Sequence, residues 1–438
     1  MPFFEHPTSD TFLAELNPNG ATSAIDEAAA VHRIVGAGFH LRGGQCLVSE
    51  DGRAAVAILG SSYAHSSDPA VAHDLAETVL AAFLGGATAV AAAKMLPNGV
   101  TCVMIDGAAR RLLAVGDRMG IQRLYYNTDG PLITVSSDPA LVPASQSTAL
   151  TSDQSIFDYM YFHVVPAPRS AAAGVAALPI GSALTFDDGN RIVEPCRKMV
   201  WTSGYTDVET ASKQMIETLR TAVAASLPVG ATETACFLSG GLDSSSVAGA
   251  ASTLLGGSQV HAFSIGFREP EYDESEFAEA AARHFDLDWH RHELSPEEVS
   301  ESIDAIVGAM PEPFGNSSAV AVYHCALQAK KLGFDFMLAG DGGDEIFGGN
   351  FRYAKQLVFE RYRKVPTAFR KTLLEPTVRT LARSTGIPIF RKAQSYIDQA
   401  NVPLPDRMQS YNYLHRNRLD DIFTDSFLGR VDPDEPME

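Results

Sequence analysis

The sequence predicts an α/β protein in two parts: an α+β part over residues 1–200, and a doubly wound parallel sheet with a helical end over residues 205–438. Three observations carry this. At 438 residues and 45% apolar composition, the chain is longer than one hydrophobic core fills and has the apolar content of a globular protein. Between residues 232 and 338, strand-like apolar runs alternate with helix-length segments, as in a parallel sheet covered on both faces. Two glycine-rich interruptions, at 239–241 and 339–349, directly follow two of those runs, where such sheets bind their ligands.

In the first part, short apolar runs at 34–41, 46–48 and 54–59 are separated by Gly and Asp turns and read as strands. The Ala-rich stretch 74–96 reads as helical. Strand-like pieces return at 100–105, 112–115, 124–126 and 132–135, followed by a helix at 155–162. Residues 201–204 close this part, and an amphipathic helix at 208–226 leads into the next. There the strands fall at 232–238, 260–267, 289–293 and 334–338, and the helices between them at 244–255, 273–285, 296–310 and 319–332. Helices alone follow, at 351–364, 368–373, 377–383, 390–399 and 406–415.

Composition excludes several classes. A formal charge of −19 disfavours general nucleic-acid binding, although residues 351–418 hold fourteen Lys or Arg against four Asp or Glu. That basic stretch reads as a solvated helical surface or as a lobe that meets pyrophosphate or an acidic peptide. No run approaches the length of a membrane helix and no secretory signal opens the chain, so a cytoplasmic location and no membrane partner are expected. Five cysteines, Cys46, Cys102, Cys196, Cys236 and Cys325, are odd in number and form no C-x-x-C pair; reduced thiols are expected, with no disulfide framework and no zinc site.

The chemistry concentrates at Phe237-Leu238-Ser239-Gly240-Gly241-Leu242-Asp243-Ser244-Ser245, which reads as strand, tight turn, helix. Adjacent glycines let the backbone approach a phosphate, amides at a helix start attract anions, and Ser239, Ser244 and Ser245 add hydroxyls. The Lys of a Walker loop is missing; Asp243 instead offers a carboxylate for Mg²⁺. A bare Ser-Gly-Gly is more often a plain turn, but the full string resembles the pyrophosphate loop of enzymes that cleave ATP between the α- and β-phosphates, in the form found in the asparagine synthetase family. The second string, Ala339-Gly340-Asp341-Gly342-Gly343-Asp344-Glu345-Ile346-Phe347-Gly348-Gly349, could be an acidic surface turn, yet a packed helix would not choose only glycines and acids from 340 to 345. It resembles the same family's Ser-Gly-Glu-Gly-Ser-Asp-Glu-x-Phe-Gly-Gly segment.

That resemblance implies an amino-terminal glutaminase-like (Ntn-type) domain over 1–200 and an ATP-pyrophosphatase domain over 205–438 with a short carboxyl-terminal lobe. It implies ATP and Mg²⁺ as cofactors, nucleotide binding by Leu238, Ser239, Gly240, Gly241, Asp243, Ser244, Ile265, Ala339 and Gly340, a catalytic place for Asp341, and metal ligation by Asp243 and Asp344. Asp341 stands where the family has Glu, one methylene longer. Glu312-Pro313-Phe314 is similar to a family loop beside the acyl substrate, and Asp117-Arg118-Met119-Gly120, Leu124-Tyr125-Tyr126 and Ser136-Ser137-Asp138 are similar to the latter half of its glutaminase domain. Family glutaminases begin Met-Cys-Gly, and the cysteine attacks the glutamine amide; here Pro2 stands second, and the amide-holding Asn-Gly-Glu falls on Leu59-Gly60-Ser61. Cys46 has no neighbouring His or Lys that would lower its pKa and reads as a buried, inert thiol.

The expected activity is therefore amide formation without glutamine hydrolysis: adenylation of a carboxylate, then transfer to ammonia or an amine, which in β-lactam synthetase-like and lasso-peptide cyclase-like branches belongs to the substrate or a peptide. The family's further Ser-Leu-Glu-x-Arg-x-Pro stretch is missing, so the alternative is a catalytically incomplete or split homologue that binds nucleotide and works with a partner chain or as a homo-oligomer. His284, Asp286, Asp288, His290 and His292 suggest a metal site by alternation, but no ligand from another element is evident in the sequence, and an exposed helix-to-strand junction explains them.

Overall fold

The computed structural model of the chain describes residues 13–16, 33–36, 39–42, 45–60, 69–128, 130, 133–143, 151–201, 204, 207–268, 273–385, 387–404, 406–409, 414 and 417–437. Pro2 and Ser61 lie outside the described residues, as does most of the second half of the helix expected at 406–415, whose first residues, Asp406–Gln409, are helical.

The first part contains, in chain order, β1 (Leu13–Leu16), β2 (Arg33–Gly36), β3 (Phe39–Arg42), β4 (Gln45–Val48), β5 (Ala54–Leu59), α1 (Pro69–Leu84), α2 (Ala89–Met95), β6 (Thr101–Asp106), β7 (Arg111–Val115), β8 (Tyr125–Asn127), β9 (Ile133–Ser136), α3 (Asp153–Phe162), β10 (Val175–Ala177), β11 (Ser182–Asp187) and β12 (Asn190–Pro195). The strands make two antiparallel sheets, ordered β10-β8-β9-β1-β3-β2 and β12-β11-β7-β6-β5-β4. Ala57, Val103, Leu112, Tyr126, Val135 and Leu184 fill the space between them. On the outer face of the second sheet, Val56 and Met104 pack with Leu80 and Phe83 of α1. Covered on both faces, β5 and β6 are buried at every position, so they read as continuous apolar runs and not as an alternation.

The second part supplies α4 (Val208–Ser226), β13 (Thr234–Phe237), α5 (Leu242–Leu255), β14 (Val260–Gly266), α6 (Ser275–Phe285), β15 (Asp288–Glu293), α7 (Pro296–Ala309), α8 (Ser318–Lys331) and β16 (Met337–Leu338). Its sheet is parallel throughout, ordered β15-β14-β13-β16. The period of two divides its side chains: Cys236, Leu238 and Ala262 face α5 and α6 through Ala248 and Ala278, whereas Ala235 and Phe263 face Cys325 and Ala329 of α8. This is the doubly wound arrangement that the sequence predicts. From β13 the chain moves outward to β14 and β15, then returns to β16 on the other side of β13, which puts the switch in strand order between β13 and β16.

Packing divides the chain into two compact units, residues 1–159 with 163–339, and 160–162 with 340–438. The expected boundary at 200–205 thus falls inside the first unit. The second unit contains α9 (Gly343–Phe347), α10 (Phe351–Arg363), helical turns over 367–374, α11 (Glu375–Ser384) and α12 (Pro388–Asn401). Two of its arginines are internal braces. Arg407 donates to Gln356 Oε1 at 2.7 Å and Glu360 Oε1 at 2.6 Å with its guanidinium 5.3 Å from the Phe359 ring. Arg370 donates to Val365 O and Asn401 Oδ1, both at 3.0 Å. Part of the basic excess of 351–418 therefore holds this unit together. Among the described residues, no helix is long and apolar enough to cross a membrane.

Candidate functional site

The parallel sheet puts the Ser239 loop at the carboxyl end of β13, beside the switch in strand order. Leu238 ends the strand with its N–H donated to Phe263 O at 2.9 Å, while its carbonyl accepts from Ser264 Oγ at 2.5 Å. The Trp289 indole donates to Ser264 Oγ at 2.8 Å, so the last buried carbonyl before the loop is fixed through two strands. The sequence reading missed Ser264; a hydroxyl in the middle of a fully covered strand was the available signal.

Gly240 then takes φ +85°, and a Cβ there would collide with the Ala278 N–H and lie 2.6 Å from Phe277 Cβ on α6. Only glycine lets the loop lie this close to the helix start. Ser244 Oγ accepts from the Ser239 N–H at 3.2 Å and lies 3.0 Å from Ser239 Oγ, which in turn accepts from the Gly241 N–H at 3.2 Å. The turn is thus built before any ligand arrives. Of the three hydroxyls, Ser239 is exposed, Ser244 is turned inward, and Ser245 Oγ is buried without a hydrogen-bond partner. Gly241 caps α5 without a side-chain hydrogen bond, leaving the first amides of a fourteen-residue helix directed at the loop. Asp243 sits in that first turn, half-buried. Ile265, also half-buried, lies at the end of β14 in register with His292 of β15. Ala339 is exposed just beyond β16, the strand that pairs with β13.

In the second unit, Gly340, Asp341 and Gly342 form a turn into the short helix α9. Asp341 is exposed and Asp344 half-buried. The Gly348 and Gly349 N–H groups both donate to Asp344 O, and a Cβ on Gly349 would collide with Asp344 Oδ1. The second glycine of the Gly-Gly pair therefore preserves the space beside this carboxylate.

The residues singled out in the amino-terminal part lie in packed surroundings. Leu59 is 4% exposed and belongs to the core between the two sheets. Asp117 accepts from the N–H groups of Met119 (2.7 Å), Ile121 (3.2 Å) and Gln122 (2.9 Å), which makes it the organiser of its own loop. Burial pushes the thiols of Cys46, Cys236 and Cys325 up to about 12 and raises Cys102 and Cys196 as well. None of the five forms a disulfide.

Two placements differ from expectation. The Glu312 side chain turns into the amino-terminal part: Oε1 accepts from the Ala171 N–H at 2.8 Å, and Oε2 lies 4.0 Å from Arg123. Three residues on, the Gly315 N–H donates to His163 O at 2.7 Å, so this loop ties the two parts of the first unit together. The His–Asp stretch also finds potential ligating partners from other elements. His261 of β14 joins Asp288 and His290, and Glu298 of α7 and His324 of α8 join His292. His261 and His324 are distant in sequence from these partners, and only the folded sheet brings them together, whereas Glu298 lies six residues from His292.

An asparagine synthase family model matches residues 214–424, and a glutamine amidotransferase domain model matches residues 19–197. The glutamine-hydrolyzing asparagine synthetase 1 of Bacillus subtilis (strain 168) is 26% identical over 304 residues, covering 68% of this chain and 45% of its own length. A Methanocaldococcus jannaschii protein provisionally designated glutamine-hydrolyzing asparagine synthetase 2 is 29% identical over 265 residues, covering 58% of this chain and 50% of its own length. An amidase of Penicillium rubens is 24% identical over 283 residues, covering 59% and 40%. The chain thus spans half or less of the length of each of these relatives.

Proposed function

Because the chain belongs to the asparagine synthetase family, we propose that it is an ATP-dependent C–N ligase that adenylates a carboxylate and transfers the acyl group to ammonia or an amine without hydrolysing glutamine. The observation that carries this reading is the prebuilt Ser239 turn. It lies at the switch in strand order, with an uncapped helix amino terminus, an exposed hydroxyl and a glycine that no other residue could replace without collision.

In the proposed reaction, a carboxylate oxygen of the acid attacks the α-phosphorus of ATP, and the bond to pyrophosphate breaks. The amine nitrogen then attacks the acyl carbon, AMP leaves, and the nitrogen releases a proton. The loop amides and Ser239 hold the phosphates, the backbone at Leu238, Ile265, Ala339 and Gly340 faces the adenosine, and Asp341 lies at the reacting groups. Positioning and charge stabilisation do most of the work. Asp243 and Asp344 are hard oxygen donors suited to Mg²⁺, and Gly349 keeps the space beside Asp344 Oδ1 open. When bound there, the ion offsets charge on the departing pyrophosphate. Independence from glutamine is supported by the five raised thiols and by Leu59, whose side chain belongs to the core.

The test is exchange of labelled pyrophosphate into ATP by the full chain, with free amino acids and acidic peptides as the carboxylate. Asp243→Asn should lower exchange at least about tenfold, since losing one charged ligand removes roughly 1.5–3 kcal/mol. Unchanged exchange in that variant would remove Asp243 from the site.

A further inference from the structure

We propose that His292, Glu298 and His324 form a binding site for a divalent transition-metal ion of the zinc class on the flank of the parallel sheet. The three residues come from three elements: the end of β15, the first turn of α7 and the middle of α8. One ring nitrogen from each histidine and one carboxylate oxygen lie within 4.8 Å of one another. Two imidazoles and one glutamate are the donor set of three-ligand zinc sites, which leave a fourth position for water.

The group is poised for a cation in ways that an ordinary His–Glu contact is not. His292 Nε2 lies 2.9 Å from Glu298 Oε1. The other oxygen, Oε2, accepts from the Ser295 N–H at 2.9 Å in a capping box, which orients the carboxylate and holds its pKa below the usual range. His324 is only 5% exposed, and its Nε2 is buried without a hydrogen-bond partner. A buried ring nitrogen left without a partner is costly and needs a reason. The rings of His292 and His324 lie 13° from parallel with centroids 6.1 Å apart. His292 and Glu298 keep 29% and 37% of their side-chain surface exposed, which gives an ion a way in.

The neighbouring group of His261, Asp288 and His290 lacks the buried, unpartnered ring nitrogen and the capping-box carboxylate, although its histidine rings are also stacked, 9° from parallel. There His261 Nδ1 lies 3.1 Å from Asp288 and its Nε2 3.6 Å from Glu233, while His290 Nε2 lies 3.3 Å from Asp288. His261 Nδ1 also lies 3.2 Å from His290 Nε2, so the polar atoms of this second set already have partners, and it serves as the internal control. Because His292 is the register partner of Ile265, an ion at the proposed centre would clasp the edge strand to α7 and α8 beside the strand end assigned to the nucleotide.

The probes are Co²⁺ and Zn²⁺ added to the untagged full chain after chelation. One Co²⁺ per chain should bind with a visible absorption band that one equivalent of Zn²⁺ abolishes, and Zn²⁺ should raise the melting temperature. His292→Gln and Glu298→Gln, at half-exposed positions where folding can be verified by circular dichroism, should each weaken Zn²⁺ binding by at least about tenfold. His261→Gln and Asp243→Asn should leave it unchanged. Absence of a saturable Co²⁺ band at stoichiometric metal, binding that survives in both the His292 and Glu298 variants, or loss in His261→Gln alone would each overturn the proposal.

Discussion

The antiparallel sandwich and the parallel sheet use their polar groups in opposite ways. In the sandwich, Asp117 and Arg197 are buried and committed to backbone: Asp117 accepts from three amides, and Arg197 donates to the carbonyls of Leu96, Pro97 and Val100. In the parallel sheet, the strand-end groups bond among themselves just enough to fix a turn, then leave Ser239 and the start of α5 facing solvent. A buried polar group with a full set of partners holds a loop; a prebuilt turn with uncapped donors is ready for a ligand. The contrast argues that a motif's surroundings decide its role, since both halves contain strings that resemble catalytic ones.

The largest effects should separate the halves. Asp117→Ala strands three backbone donors in a site where the aspartate is 1% exposed, and should destabilise the chain by roughly 3 kcal/mol or more. At a temperature where that variant remains folded, its pyrophosphate exchange should match the parent. Asp243→Asn should do the reverse, with exchange reduced and the melting temperature little changed. Denaturation curves and exchange rates measured on both variants test the contrast. A loss of exchange in folded Asp117→Ala that exceeds the loss in Asp243→Asn would break it.

A smaller effect is expected where the two halves of the first unit join. Burial raises the Glu312 pKa above its ordinary value, and the Ala171 amide and Arg123 only partly oppose this. The folded chain therefore binds more protons than the unfolded chain in the interval between the ordinary value and the raised one, so this residue's contribution to stability falls as pH rises through that interval. Glu312→Gln keeps an acceptor for Ala171 and removes the charge. Its melting temperature should equal or exceed the parent's at neutral pH, and the difference should shrink on acidification. A variant less stable than the parent at neutral pH, with the deficit closing on acidification, would show that Arg123 outweighs desolvation.

Much of the fold was legible because the informative patterns are local. The alternation of apolar runs with helix-length segments gave the parallel sheet, and the Ser239 and Gly340 strings marked the ends of β13 and β16. What the sequence concealed depends on contacts between distant positions. The direction of Glu312 is set by a backbone amide 141 residues away, and His324 meets His292 and Glu298 only when α8 covers its face of the sheet. The role of Ser264 was hidden for the same reason, since its partners are Leu238 and Trp289 on the flanking segments. The division into compact units was equally hidden, since nothing in the sequence marks the break in packing at 339–340.

The smallest expected effect tests the sandwich half by its silence. Cys46 lies on β4, packed against the core between the sheets, and burial pushes its thiol up to about 12. A nucleophilic thiol requires the thiolate, and at neutral pH this environment keeps the group protonated. Cys46→Ala should therefore leave amide formation from ammonia or an amine at the parental rate, at a cost of roughly 1 kcal/mol of stability for the small cavity. Glutamate release from glutamine, measured with and without ATP and the acid substrate, should stay at the uncatalysed background in both proteins. Release above background in the parent that disappears in Cys46→Ala would mean that the sandwich has placed a working nucleophile on β4, and the contrast between the two halves would fail.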